Sequence, residues 1–242
     1  MAHYNIFAVA VSYIISVLGS FMALYITRAA LQVTSGRKKL LLFAAICLGG
    51  VGIWSMHFIG MLALDLKMMD MSFNWGLTAF SFVVAITGVY IGLLIIGHGE
   101  MKLTKLIMAG VIVGSAVVAM HYTGMAAMEM QAHIQWNWTI INISVVIAVV
   151  ASIVALWLAL TVKHLWQIVI SAFVMGVAVC GMHYTGMAAA EFIADPSLPF
   201  VNALSVTTFM FSAIILMIDM ATLVVALIVA MLESNKQKFV HT

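Results

Sequence analysis

Seven stretches of about twenty or more predominantly apolar residues, separated by short links that hold nearly all the charge, limit what this chain can become. A segment of that length crosses the roughly 30 Å hydrocarbon core of a bilayer as a helix, and in lipid a backbone must satisfy its own hydrogen bonds. With 65% hydrophobic and 7% charged residues the chain is far from a soluble domain, which carries about 25% charged residues. The ten-residue alternation of a membrane barrel is absent. The expected fold class is an all-α membrane protein with seven transmembrane helices, at about 5–26, 40–64, 74–96, 106–130, 138–162, 167–192 and 202–232. The two cysteines, Cys47 and Cys180, fall inside apolar segments, so disulfides do not frame this fold.

Lysine and arginine orient the bundle. Arg28, Arg37, Lys38, Lys39, Lys102, Lys105, Lys163, Lys236 and Lys238 fall on one side, and Lys67 alone on the other. Under the positive-inside rule this predicts an external N-terminus and a cytoplasmic C-terminus.

Inside the apolar segments one phrase is written three times: Met56-His57-Phe58-Ile59-Gly60-Met61, Met120-His121-Tyr122-Thr123-Gly124-Met125 and Met182-His183-Tyr184-Thr185-Gly186-Met187. Gly50, Gly114 and Gly176 stand seven residues before the histidines, and Ser12, Ser81 and Ser144 roughly forty before. The pattern reads as a helix pair used three times (about 5–64, 74–130 and 138–192) with a seventh helix left over, all in one domain spanning 1–242. Sites in membrane bundles tend to form at repeat interfaces. On these helix limits each histidine lies seven to nine residues before the outer helix end, about 10–14 Å at 1.5 Å per residue.

Residues four apart share a helix face. That pairs His57 with Met61, His121 with Met125 and His183 with Met187; Met56, Met120 and Met182 reach the same space from its edge. Gly60, Gly124 and Gly186 leave room for close helix approach or for a ligand. Imidazole with thioether suits copper better than hard cations, whereas zinc gains little from thioether. A single such histidine would read as interhelical glue, but triplication in register points to a functional centre.

Asp65, Glu129 and Glu191 each follow a motif histidine by eight residues. They form either an acidic, cation-attracting mouth at the helix ends or ordinary interfacial charge. The link Asp65-Leu66-Lys67-Met68-Met69-Asp70-Met71 reads as interfacial packing or as a metal-capture surface, with His3 and His133 also facing outward. Cys180 precedes His183 by three residues, but Trp54 and Val118 hold the matching places, so it reads as packing. Asp219, midway along the seventh helix, is a functional candidate by its depth. It is protonated, paired with a hydroxyl, or couples the site to the cytoplasmic end.

The words Met120-His121-Tyr122-Thr123 and Met182-His183-Tyr184-Thr185, with seven helices and three motif copies, resemble the MHYT domain family across the whole chain. The first copy departs from it at Phe58 and Ile59. The resemblance implies a bacterial inner-membrane sensor module that binds copper through the motif residues, Tyr122 and Tyr184 standing close by, and detects oxygen, carbon monoxide or nitric oxide. It also implies a cytoplasmic output, often cyclic-di-GMP synthase or phosphodiesterase domains, either on a partner protein or in a longer chain. Rival readings are a copper transporter or copper-handling membrane protein, and a haem protein with histidine axial ligands. The sequence has no nucleophile paired with a base and no phosphate loop, so no enzymatic activity is expected of it. Its basic residues serve topology, and no nucleic-acid partner is expected.

Overall fold

Three helices that leave the motif end of the bundle each start from an asparagine. In the computed structural model, which describes residues 3–65, 71–100, 102–198 and 205–240, the Asn5 side chain accepts from the backbone N–H groups of Phe7 and Ala8, that of Asn74 from Leu77, and that of Asn137 from Thr139 and Ile140. These caps satisfy donors that the first helical turn leaves open. Helices α1 (Ile6–Gln32), α3 (Trp75–Ile96) and α5 (Trp138–Thr161) follow them. The chain returns through α2 (Arg37–Leu62), α4 (Leu103–Ala126) and α6 (Leu165–Ala188). All six are long and apolar enough to cross a membrane. The seventh helix, α7, runs over Thr208–Val240 and carries a shorter apolar stretch, Met210–Ala226.

The six helices form a closed ring in which each packs on the next and α6 returns to α1. One stitch repeats at the motif end. The backbone N–H groups of Asn5, Asn74 and Asn137 donate to the carbonyls of Ala63, Ala127 and Ala189, each at 2.8 Å. Short antiparallel ladders extend these stitches where the sequence reading has only links or helix ends. They pair β1 (His3–Tyr4) with β2 (Leu64–Asp65), β3 (Ser72–Asn74) with β4 (Met128–Glu129), and β5 (Ala132–Trp136) with β6 (Ala190–Ala194). Strand β7 (Ser205–Thr207) joins the far side of β3 and leads into α7.

Three expectations need correction. Helix α1 runs on to Gln32, past the expected 26, and α7 covers Thr208–Val240 against an expected 202–232, its approach Ser205–Thr207 being a strand. Helices α2, α4 and α6 end at Leu62, Ala126 and Ala188, short of the predicted 64, 130 and 192, because the chain turns into the ladders. The histidines therefore sit five residues from the helix ends, about 7.5 Å by helical rise, and closer to the bundle surface than expected. Asp65, Glu129 and Glu191 consequently lie on β2, β4 and β6 and not on helix C-termini. They do not oppose a helix dipole.

Helix α2 differs from its counterparts. Its middle, Ile46–Ser55, is π-helical, a wider coil that is rare and often functional. A Cβ on Gly19 would lie 2.3 Å from the Gly52 backbone nitrogen, so α1 and α2 touch backbone to backbone. The apolar stretch of α2 is 78% buried, against 28–39% for the other five ring helices. α7 packs over it from outside the ring.

Candidate metal centre

His57, His121 and His183 meet on the axis of the ring and are buried to 1% exposure or less. The Nδ1 of His57 stands 3.0 Å from that of His183 and 3.1 Å from that of His121. The ligand nitrogens of all three lie within 4.8 Å of one another. The rings meet edge to face, with centroids 4.8–5.3 Å apart.

The motif glycines explain how three imidazoles fit there. A Cβ on Gly124 would lie 2.3 Å from the Nε2 of His57, one on Gly186 2.2 Å from the Nε2 of His121, and one on Gly60 2.4 Å from the Nε2 of His183. Each motif thus supplies a histidine and vacates the space that another motif's histidine fills, in a closed cycle of three. The glycines accommodate a neighbouring imidazole, which is why a residue without a side chain recurs three positions after each histidine.

This packing sets the chemistry. All three Nε2 atoms are buried without a hydrogen-bond partner among the described residues, while the Nδ1 atoms converge. A neutral imidazole has one N–H and one lone pair, so three Nδ1 atoms that face one another cannot all be satisfied among themselves while the Nε2 atoms have no side-chain partner. A cation on the axis would engage all three Nδ1 lone pairs at once. Three nitrogens held about 2.0 Å from one ion stand about 3.3–3.5 Å apart, close to the two short spacings here. The donor set fits a borderline metal such as copper, and among the described residues no carboxylate or thiol joins the group. Met56, Met61, Met120, Met125, Met182 and Met187 are all buried at 2% exposure or less.

A second triplet braces the first. Ser12, Ser81 and Ser144 each donate to the carbonyl three residues earlier, at 2.7 Å. With its proton used, each serine oxygen accepts from a neighbouring even-numbered helix: Tyr184 at 2.9 Å, Trp54 at 3.0 Å and Tyr122 at 2.7 Å. Trp54 thereby supplies in the first repeat the donor that Phe58 lacks.

Asp219 is buried and accepts from Ser55 Oγ at 2.7 Å. Of the options open from sequence, the hydroxyl partner is the one observed. That serine lies in the π-helical stretch, two residues before His57. Glu129 is half-buried and accepts from Asn74 at 3.3 Å, and Glu191 is exposed. Neither belongs to the histidine group, and the Asp65 side chain, with Lys67, Met68, Met69 and Asp70, lies outside the described residues. His133 is largely exposed and pairs with Asp195 at 2.8 Å across the β5–β6 ladder. Hydrogen bonds from Ser197, with a smaller contribution from His133, hold the Asp195 carboxyl below its ordinary range. Cys47 and Cys180 are free thiols outside the histidine group. Two sets of residues escape the bare pattern: the cap asparagines, although each stands seven residues before one of the repeated serines, and Trp54, whose role needs the neighbouring helix to be visible.

Six membrane-length helices around a buried trio of histidines define a multi-pass membrane domain. The family model described as "MHYT: Bacterial signalling protein N terminal repeat" matches residues 50–109, 114–172 and 176–240, and the chain belongs to this family. The matches open at or beside the glycines seven residues before each histidine, so they join each even helix to the odd helix that follows. The chain is 36% identical over 244 residues to the bifunctional diguanylate cyclase/cyclic di-GMP phosphodiesterase MucR of Pseudomonas aeruginosa, covering 97% of this chain and 35% of that protein. It is 29% identical to the signaling protein YkoW of Bacillus subtilis, over 89% of this chain and 27% of that protein. It is 28% identical to the cyclic di-GMP phosphodiesterase NbdA of Pseudomonas aeruginosa, over 75% and 24% respectively. The chain thus spans about a third or less of the length of these relatives. No solved structure matches it.

Proposed function

We propose that the chain is the sensory part of a bacterial inner-membrane signalling system, and that His57, His121 and His183 hold one copper ion at which a diatomic gas (oxygen, carbon monoxide or nitric oxide) is detected. The observation that carries this reading is the convergence of the three imidazoles, the His57 Nδ1 standing 3.0 Å from that of His183 and 3.1 Å from that of His121, with no carboxylate or thiol in the group among the described residues. Copper held there would supply an open coordination position for the gas. The chain's own residues provide the rest: Gly60, Gly124 and Gly186 admit the rings, the serine–tyrosine and serine–tryptophan bonds brace the helices, and the buried methionines exclude water.

A signal needs a second state whose energy differs with the ligand. Ser55 and Asp219 offer the route, because any shift of His57 along α2 acts two residues away on the hydrogen bond to α7. The output reached through α7 would be a cytoplasmic domain or partner, and the printed names of MucR and NbdA make cyclic-di-GMP turnover the leading candidate. The space below the histidines is apolar, which favours a sensor over the rival reading of a copper transporter, whose ion would need a polar path.

The test is metal content by mass spectrometry on protein purified without chelators or a polyhistidine tag, beside a variant carrying His57→Ala, His121→Ala and His183→Ala. Near-stoichiometric copper in the parent and its loss in the variant are expected. A folded, copper-exposed parent without copper would reduce the trio to interhelical packing. Asp219→Asn is expected to keep the copper and change the output.

A further inference from the structure

Beneath the imidazoles the ring of helices leaves a cavity of about 50 Å³, lined by residues from all six ring helices. Ile53, Val117 and Val179 form its wall on the motif side. Each stands four residues before a motif histidine, so each lies one helical turn below it. Met182, from the third motif, joins this wall. Farther down, Leu24, Leu93 and Leu156 line the space, each twelve residues after one of the repeated serines. The cavity therefore follows the same threefold pattern as the histidines and continues their axis.

Its lining selects an occupant. All but Thr27 and Ser152 of the lining residues are apolar. Two hydroxyls, of which Thr27 Oγ1 is buried without a partner among the described residues, reach only the lower end of the roughly two to four hydrogen bonds that an interior water makes. The volume exceeds the roughly 10–15 Å³ that one water needs and is well below the roughly 150 Å³ of an apolar cavity that takes up benzene. An apolar occupant of a few atoms satisfies both limits. Ala151 and Ala155 on α5, and Ala178 and Val179 on α6, line the cavity yet remain partly exposed. They bring the cavity closest to the surface along the α5–α6 seam, which lies within two membrane-length apolar helices, and apolar solutes concentrate in hydrocarbon.

We propose that this cavity is a binding chamber for one small apolar gas molecule, loaded sideways from the bilayer through the α5–α6 seam and held one turn below the three imidazoles. The chamber deepens the gas-sensing reading and rests on it only for the destination of the gas; its occupancy requires no metal.

Xenon is the probe, measured by 129Xe NMR on the whole chain in lipid nanodiscs, with copper content determined on the same samples. The wild type is expected to show a saturable bound-xenon contribution. Val117→Phe, which fills the space, is expected to reduce it at least tenfold, and Leu93→Ala, which enlarges the space, to increase it. No saturable xenon in the folded wild type overturns the chamber, as does a xenon signal unchanged in Leu93→Ala and in folded Val117→Phe. Should Val117→Phe not fold, the wild type and Leu93→Ala decide alone. Copper without xenon overturns the chamber and leaves the metal centre standing; xenon without copper does the reverse.

Discussion

The first repeat and the other two build the same centre with different supports. In the second and third, the motif histidine is followed by a tyrosine whose hydroxyl reaches a serine on a neighbouring helix, and the helix that carries both is regular. In the first, the helix widens into a π-helical stretch, Phe58 replaces tyrosine, and Trp54 reaches the serine instead. The freed face becomes an aromatic seat. Phe58 packs edge to face against Phe73 at 5.3 Å and Phe211 at 4.9 Å, and Phe211 also meets Trp54 at 5.9 Å. Phe211 belongs to α7. The departure from the repeated pattern thus marks where the odd seventh helix docks, and the only described buried acid, Asp219, bonds to that same stretch of α2. Symmetry serves the centre, and its local breaking serves the connection to α7.

The largest expected effect tests the symmetric half of this comparison. Gly124→Ala puts a methyl 2.3 Å from the Nε2 of a fully buried ring, and overpacking of this kind costs about 1–3 kcal/mol. Copper content and thermal stability should fall together, and Gly60→Ala and Gly186→Ala should match it. A phenotype confined to one glycine would break the cyclic arrangement.

Next comes the asymmetric half. Phe58→Tyr carries a hydroxyl into the aromatic seat, where the Ser81 oxygen is already engaged with Trp54 and with the carbonyl of Thr78. An unsatisfied buried hydroxyl costs about 1–3 kcal/mol, and its first consequence should be release of α7, read as new protease sensitivity near 205–226. Unchanged protection would show that the family's usual tyrosine is tolerated there and that the seat is not specific.

The converse change should do less. Tyr122→Phe removes one donor while Ser144 keeps its bond to Ile141, and interhelical hydrogen bonds in membranes average about 0.6 kcal/mol. A small drop in melting temperature with copper retained is expected, and Tyr184→Phe should behave alike. Smallest of all is His133→Ala. Its pair with Asp195 is exposed, and exposed pairs contribute little, so copper content and melting temperature should stay at wild-type values.

The sequence by itself determined the class, the three motif copies and the histidines that the fold brings together. Apolar length leaves a membrane chain little choice but helices, and three histidines in matching apolar contexts can be aligned without coordinates. The middle spans came within about four residues of their places, the outer ends failing where the backbone turned into ladders, because short strands depend on a partner that apolar periodicity does not reveal. The first and seventh helices run on to Gln32 and Val240, past the expected 26 and 232. What only the tertiary structure decided is who meets whom. The glycine three residues after each histidine belongs to a different histidine, Ser55 belongs to Asp219, and Trp54 does for Ser81 what tyrosines do elsewhere. These are contacts between segments far apart in the chain, and spacing along one helix carries no record of the helix that will be packed against it.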